Sequence, residues 1–212
     1  MRIGLFGGSF NPVHAGHLIA SRAVAEHLRL DKLYLVPAAV PPHKVPKNLA
    51  DATHRLEMLR LATRGESLFE VSDLEINRPG PSYTIVTVEE FRRRLGGSAE
   101  LFWIIGADSL AELANWYQAE RLVDTCRIVT AARPGWDRPD LSALAGRLRP
   151  EQIERLKADV LATPRIDISA SEIRRRVAAG LSVRYLVPDA VAEYIAAHGL
   201  YRAENDVKHG GV

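Results

Sequence analysis

At 212 residues, 47% of them hydrophobic, the chain has enough apolar material for a proper core and fits one domain of ordinary size. Its net charge of +2 excludes a strong global field for nucleic acid, and no apolar run nears the ~20 residues of a membrane span. One cysteine, Cys126, excludes an internal disulfide, and the start lacks a basic stretch followed by an apolar one, so a cytoplasmic protein is expected.

The chain opens with Arg2-Ile3-Gly4-Leu5-Phe6, an apolar run suited to a strand buried on both faces of a parallel sheet. Gly7-Gly8-Ser9-Phe10-Asn11-Pro12-Val13-His14-Ala15-Gly16-His17 follows, and from Leu18 to Leu28 apolar residues return at helical spacing. A strand, a glycine turn and a helix leave main-chain N–H groups and a positive dipole end aimed at one spot, which suits a phosphate. Gly7 and Gly8 let a ligand approach the main chain, Ser9 adds a hydroxyl, and His14 and His17 fall on one side of the helix start. Each part has a plainer reading: glycine turns also serve packing, and histidine pairs also bind metal. Helical zinc pairs, however, usually sit four apart, and no third ligand follows at an obvious spacing.

Lys32–Pro37 is a second strand, completing a right-handed βαβ unit. The proline-rich stretch 38–49 should form a stiff loop beyond a strand end, from which Lys44 either reaches a phosphate or stays solvated. Residues 53–64 read as a helix stopped by Gly65, and 69–76 as a strand of partly polar character. After the turn cluster 77–82, Ser82 is placed to cap a helix running from Tyr83 to Leu95, where Arg92, Arg93 and Arg94 suit the dipole. Glu100–Gly106 is the strongest buried strand; Asp108 just beyond it can accept from ribose hydroxyls, cap the next helix, or both. Trp116 and Tyr117 suit either a core or a stacking wall. Residues 127–132 form another strand, 136–150 a surface excursion, and 151–157 a short helix.

Arg165-Ile166-Asp167-Ile168 leads into Ser169-Ala170-Ser171-Glu172-Ile173-Arg174-Arg175-Arg176, a second strand-to-helix junction with a basic opening. Basic residues at a helix start oppose the dipole, a local violation that a phosphate site would explain. Ser169 or Ser171 caps that helix, and Arg174 can hold phosphate oxygens with its planar fork; the alternative leaves the arginines in solvent. A last helix from Pro188 carries Val191, Tyr194, Ile195 and His198 on one face and ends at Gly199. Together these elements predict an α/β fold: a Rossmann-like, doubly wound, mostly parallel sheet with helices on both faces. Residues 1–201 would form one domain, and 202–212 a disordered tail.

The first motif resembles the GGSFDPxHxGH segment of the HxGH nucleotidyltransferase superfamily, and within it the bacterial nicotinate-nucleotide adenylyltransferase family. Ile168, Ser169, Ser171 and Arg174 resemble its ISxSxxR motif. Pro42-His43-Lys44, Arg78–Thr84, Ile104–Ser109, Trp116-Tyr117 and Arg133-Pro134-Gly135 follow family segments in the expected order, so the likeness covers most of the chain. Asn11 and Val86 depart from the family pattern, which has Asp at both places.

The resemblance implies adenylyl transfer from ATP to nicotinate mononucleotide, giving nicotinate adenine dinucleotide and pyrophosphate in NAD biosynthesis. It implies catalytic roles for His14, His17 and Arg174. ATP would be bound by Gly7, Gly8, Ser9, Phe10, His17, Lys44, Gly106, Asp108, Ser169, Ser171 and Arg174. Asn11, Thr84, Trp116 and Tyr117 would hold the nicotinate nucleotide. Mg²⁺ would arrive with ATP, with no metal site of the protein's own. No nucleic acid or membrane partner is expected, and a homo-oligomer is left open. Rivals are a sister transferase such as pantetheine-phosphate adenylyltransferase or a cytidylyltransferase, a class I aminoacyl-tRNA synthetase, and a nucleotide-binding regulator without chemistry. The chain has neither the length nor an evident KMSKS loop for the synthetase, and the SYT and WY segments disfavour the sister enzymes.

Overall fold

A computed structural model describes residues 1–41, 48–132 and 140–203. Its centre is a six-stranded, all-parallel sheet in the order β3-β2-β1-β4-β5-β6. The strands are β1 (Arg2–Gly8), β2 (Lys32–Pro37), β3 (Phe69–Val71), β4 (Glu100–Gly106), β5 (Arg127–Ala132) and β6 (Val160–Ala162). The helices are α1 (Ala15–Leu28), α2 (Ala52–Ala62), α3 (Thr84–Leu95), α4 (Ala107–Glu112), α5 (Ala119–Thr125), α6 (Pro150–Ala158), α7 (Ala170–Ala178) and α8 (Asp189–Ala197). The expected Rossmann-like, doubly wound fold is thus the observed one, and its strand order reverses between β1 and β4, where such sheets bind ligands. No described helix is long and apolar enough to cross a membrane.

Alternation along the strands divides the core into two layers. Ile3, Leu5, Leu101, Trp103 and Ile105 face one side with Ile85, Val88 and Phe91 of α3. Leu33, Leu35, Phe102, Ile104 and Val129 face the other, with Val24 of α1, Met58 and Leu59 of α2, Ile173 of α7, and Val191 and Ile195 of α8. Gly4 sits under this second layer because a Cβ there would lie 2.6 Å from the Leu30 side chain.

Several expectations need correction. The first helix starts at Ala15, because His14 already serves as its N-cap. The third strand ends at Val71; the chain turns there so that Leu74 and Glu75 are buried rather than paired in the sheet. Ser82 does not cap α3, whose N-cap is Tyr83; the Ser82 hydroxyl instead accepts from the Ala39 and Val40 N–H groups at 3.0 and 3.4 Å. Asp108 is not a cap either, since Gly106 holds that place. The surface excursion supplies core: Leu141, Leu144 and Leu148 are buried. The edge strand β6 was not expected, and residues 165–168 form no strand.

The basic opening of the helix after Ser169 also needs revision. Residue Glu172 occupies its first turn, and Arg175 and Arg176 stand in its last, where they favour the dipole. Arg175 pairs with Glu172 and Arg176 donates to the Ser182 carbonyl, leaving Arg174 as the arginine turned toward the first motif. His198 is exposed, stacked on Tyr194 at 3.9 Å. Lys44 with half of the proline-rich loop (42–47), Arg133-Pro134-Gly135 and the tail from 204 lie outside the described residues.

Candidate active site

A cavity of about 490 Å³ opens at the carboxyl ends of β1 and β4. Gly7, Gly8, Ser9 and His17 line it from the β1 side, and Gly106 and Ser109 from the β4 side. Tyr83, Thr84, Trp116 and Tyr117 form the wall beyond them, and Trp103 and Glu75 also face it. The first residues of α1, α3 and α4 therefore border one space. Neither α3 nor α4 has a side-chain cap, so their first-turn N–H groups remain for a ligand. Convergent helix starts make a region that attracts anions.

Residue His17 is half-buried, and its pKa is lowered to about 3, first by desolvation and then by His14. The His14 main-chain N–H donates to His17 Nδ1 at 3.2 Å, which places the proton of the neutral ring on Nε2. The two rings stack with centroids 3.6 Å apart. His14 does not line the cavity; it lies buried beside His17.

Phe10, at φ 44°, turns into the core, 1% exposed, with its ring edge-on to Phe6 and His17. Its main chain remains in the turn, but the side chain braces His17 rather than lining the cavity. Gly7 has a further reason to be glycine: a Cβ there would lie 2.4 Å from the Trp103 ring. The freedom that matters at Gly7 is for this indole as much as for a ligand.

Asn11 is a hub. Its Nδ2 donates to the Asn48 carbonyl at 2.9 Å, and its Oδ1 accepts from Ala50 N–H at 3.0 Å and from the Tyr201 hydroxyl at 2.8 Å. Its own carbonyl accepts from Arg174 at 2.7 Å. With 1% exposure and every side-chain atom committed, Asn11 is placed to shape the turn, not to line the cavity. The same contact brings the second motif to the first: Arg174 bonds Asn11 with one Nη and Ser171 Oγ at 3.1 Å with the other. Ser169 caps α7 by accepting from Glu172 N–H at 3.2 Å. Asp108 is exposed in the first turn of α4, outside the cavity lining.

At the aromatic wall, Tyr83 and Tyr117 stack at 4.4 Å, with Tyr117 48% exposed. Behind it Glu75 is buried, and desolvation raises its pKa against the opposing bonds from Thr87 and Ser82. The Thr87 hydroxyl donates to Glu75 Oε1 at 2.6 Å and receives Arg78 at 3.2 Å. This ties the turn after β3 to α3 and so holds Ser82, Tyr83 and Thr84 in place. Val86 points the other way, into an outer groove with Asp73 and Arg93, so its departure from the family pattern does not touch the cavity. Burial pushes the Cys126 thiol up to about 12, which suits the inert role expected of it.

Sequence reasoning missed Trp103, Glu75, Tyr201 and Arg55. Trp103 reads simply as core, and Glu75 as the polar phase of a strand. Arg55 carried a signal: at three and four residues before Met58 and Leu59, it shares the apolar face of its helix.

The sequence model of the cytidylyltransferase-like family matches residues 5–176. A "probable nicotinate-nucleotide adenylyltransferase" of Thermus thermophilus is 48% identical over 202 residues, 95% of this chain and 100% of the relative. Its namesake in a Roseiflexus species is 46% identical over 200 residues, 94% of this chain and 98% of the relative. Among solved structures, Plasmodium falciparum nicotinic acid mononucleotide adenylyltransferase complexed with NaAD matches with a TM-score of 0.72 at 16% identity, covering 94% of this chain and 97% of that one, a likeness of fold. With the HxGH turn bordering the cavity and the Ser-rich junction bonded to that turn through Arg174 and the Asn11 carbonyl, outside the cavity lining, the chain belongs to the nicotinate-nucleotide adenylyltransferase family, within the cytidylyltransferase-like group.

Proposed function

We propose that the protein transfers the adenylyl group of ATP to nicotinate mononucleotide, forming nicotinate adenine dinucleotide and releasing pyrophosphate, a step of NAD biosynthesis. The observation that carries this reading is that one cavity holds both a phosphate-type turn (Gly7, Gly8, Ser9, His17) and a wall suited to a flat ring (Thr84, Trp116, Tyr117). Membership in the family fixes the reaction class.

The acceptor's 5′-phosphate is largely ionised at neutral pH, its second pKa being ~6. It attacks the α-phosphorus of ATP, the bond to the bridging oxygen breaks, and the electron pair leaves with pyrophosphate. No general base is required. The protein's task is to hold two polyanions in line and meet the charge that moves onto the leaving group.

A neutral His17 with its proton on Nε2 is a donor toward a phosphate oxygen at any pH near neutrality. The N–H groups of the turn and the Ser9 hydroxyl hold phosphate beside it. Arg174, which is bonded to the Asn11 carbonyl and Ser171 Oγ, would take the leaving pyrophosphate, with Ser169 and Ser171 as hydroxyl partners. His14 orients His17. Lys44 would add charge from its loop, and Asp108 with Gly106 would lie along the ATP ribose and adenine. At the other wall, Trp116 and Tyr117 stack on the nicotinate ring, and the uncapped start of α3 at Thr84 offers N–H groups to its carboxylate.

Mg²⁺ would accompany ATP and neutralise phosphate charge. Among the described residues no three His, Cys, Asp or Glu side chains gather as a metal site, so its ligands would be phosphate oxygens and water. Residues 1–201 serve as one nucleotidyltransferase domain.

Pyrophosphate release from ATP and magnesium tests this, with nicotinate mononucleotide, nicotinamide mononucleotide and phosphopantetheine offered separately. Release with the nicotinate nucleotide and a dinucleotide product is expected. Release only with phosphopantetheine would overturn the roles of Thr84, Trp116 and Tyr117, and silence with all three would overturn the reaction.

A further inference from the structure

Arg55 is 1% exposed, on the inward face of α2. Its fork is bonded to main-chain carbonyls. Nε donates to Ala50 at 2.9 Å, Nη1 to Ser9 at 2.8 Å and Ala38 at 2.7 Å, and Nη2 to Ala39 at 3.4 Å. The charges that bear on it, Tyr201 and Asp51, act through space and not as hydrogen-bond partners. A cation buried this way needs strong bonds to offset its lost hydration, and charge-assisted bonds to carbonyls supply them. A leucine or methionine would fill the same volume without that cost. The site therefore uses the fork itself.

The four carbonyls belong to three separate stretches: the turn after β1, the loop after β2 and the approach to α2. Ser9 and Ala38 both face the cavity. Ala50 is gripped twice, its carbonyl by Arg55 and its N–H by Asn11. A peptide unit is planar with its C=O and N–H opposed, so a bond to one end aims the other. Arg55 on the Ala38 carbonyl turns the Ala39 N–H outward, where Ser82 Oγ takes it. Arg55 on the Ser9 carbonyl likewise turns the Phe10 N–H away from Arg55, and no acceptor among the described residues takes that donor.

We propose that Arg55 is a positioning residue for adenylyl transfer: by holding the Ser9, Ala38 and Ala50 carbonyls from behind, it sets the course of the Ser9 turn along the cavity and fixes the two sides of the cavity mouth relative to each other. The proposal rests on the transfer reaction above. Lysine keeps the charge but cannot span three stretches, so charge and geometry are separable.

In Arg55→Lys, kcat should fall about 10- to 100-fold, the scale of a small misplacement in a preorganised site. Pyrophosphate should bind roughly tenfold more weakly, while KM for nicotinate mononucleotide stays within about threefold. A folded Arg55→Lys with kcat within about threefold of wild type overturns the proposal, as does an equal rise of both KM values with kcat intact. Should the variant not fold, hydrogen exchange on the wild-type protein decides. Pyrophosphate, bound at the turn, should slow exchange at the Ala50 and Asp51 amides, which do not line the cavity; no change there overturns the proposal. Wild-type protein that makes no dinucleotide refutes the reaction, whereas the exchange result still tests Arg55.

Discussion

The His14 main-chain N–H donates to His17 Nδ1 while the two rings stack at 3.6 Å, so one residue fixes both the tautomer and the tilt of the other. A histidine held this way is a donor by construction. His17→Ala should lower kcat by roughly 10²–10³, the scale of losing one preorganised charge stabiliser. Arg174→Ala should do the same while also freeing the Asn11 carbonyl. Steady-state turnover of folded variants checks this; activity within about threefold of wild type in both would remove these roles.

The depressed pKa of His17 also predicts a pH dependence of stability. Between the ordinary value of 6.5 and the folded value of about 3, the unfolded chain binds the proton more readily. Stability should therefore fall as pH drops through that window, by up to ~1.4 kcal/mol per unit from this residue. Urea unfolding at pH 7 and pH 5 measures the loss, and His17→Gln should flatten it.

Glu75 acts with the opposite sign. Its pKa is raised, so its carboxylate weakens the fold as pH rises above the ordinary value of 4.5. Thr87→Val removes the donor at 2.6 Å and leaves that carboxylate buried without it, at a cost of about 1–3 kcal/mol. The variant should melt several degrees lower at pH 8, and less so at pH 5. Equal losses at both pH values would show that Glu75 is not the cause.

Gly7→Ala and Gly8→Ala should separate packing from ligand approach. The first forces a methyl group against Trp103 and should destabilise by about 1–3 kcal/mol. The second has the Phe10 ring as its nearest neighbour at 3.4 Å, an ordinary contact, so the fold should survive while phosphate binding weakens. Thermal melting and pyrophosphate binding, measured side by side, read out the two effects.

Tyr117→Ala removes an aromatic face that is half in solvent, so the melting temperature should hardly move. Stacking of this kind is worth ~0.5–1.5 kcal/mol, which predicts a KM for nicotinate mononucleotide raised about 2- to 10-fold with KM for ATP unchanged. A rise in the ATP constant instead would exchange the two subsites.

The doubly wound, parallel sheet was legible because the buried runs 2–6, 32–37, 100–106 and 127–132 carry their own signal, and a glycine turn followed by histidines marks a ligand end. What stayed hidden depends on partners far away in sequence. Ser82 reads as a cap until Ala39 and Val40 arrive to claim its hydroxyl. The bonds around Asn11 were hidden because nothing nearby in sequence shows that Asn48, Ala50 and Tyr201 will use both ends of its amide. The three-residue β6 lacks the length to announce itself, and only the helix length shows that Arg175 and Arg176 stand in its last turn. The phosphate chemistry was visible locally, but the scaffolding that aims it was not.

Asn11 is joined to Arg174 across 163 positions and to Tyr201 across 190. A ribosome adding about 5–20 residues each second therefore makes the turn many seconds before it makes what braces it. Until then the nascent chain has the motif but not the catalyst. A message broken off before residue 174 would yield a fragment with a complete HxGH signature and a disarmed site, so half-made copies should not draw on the ATP pool.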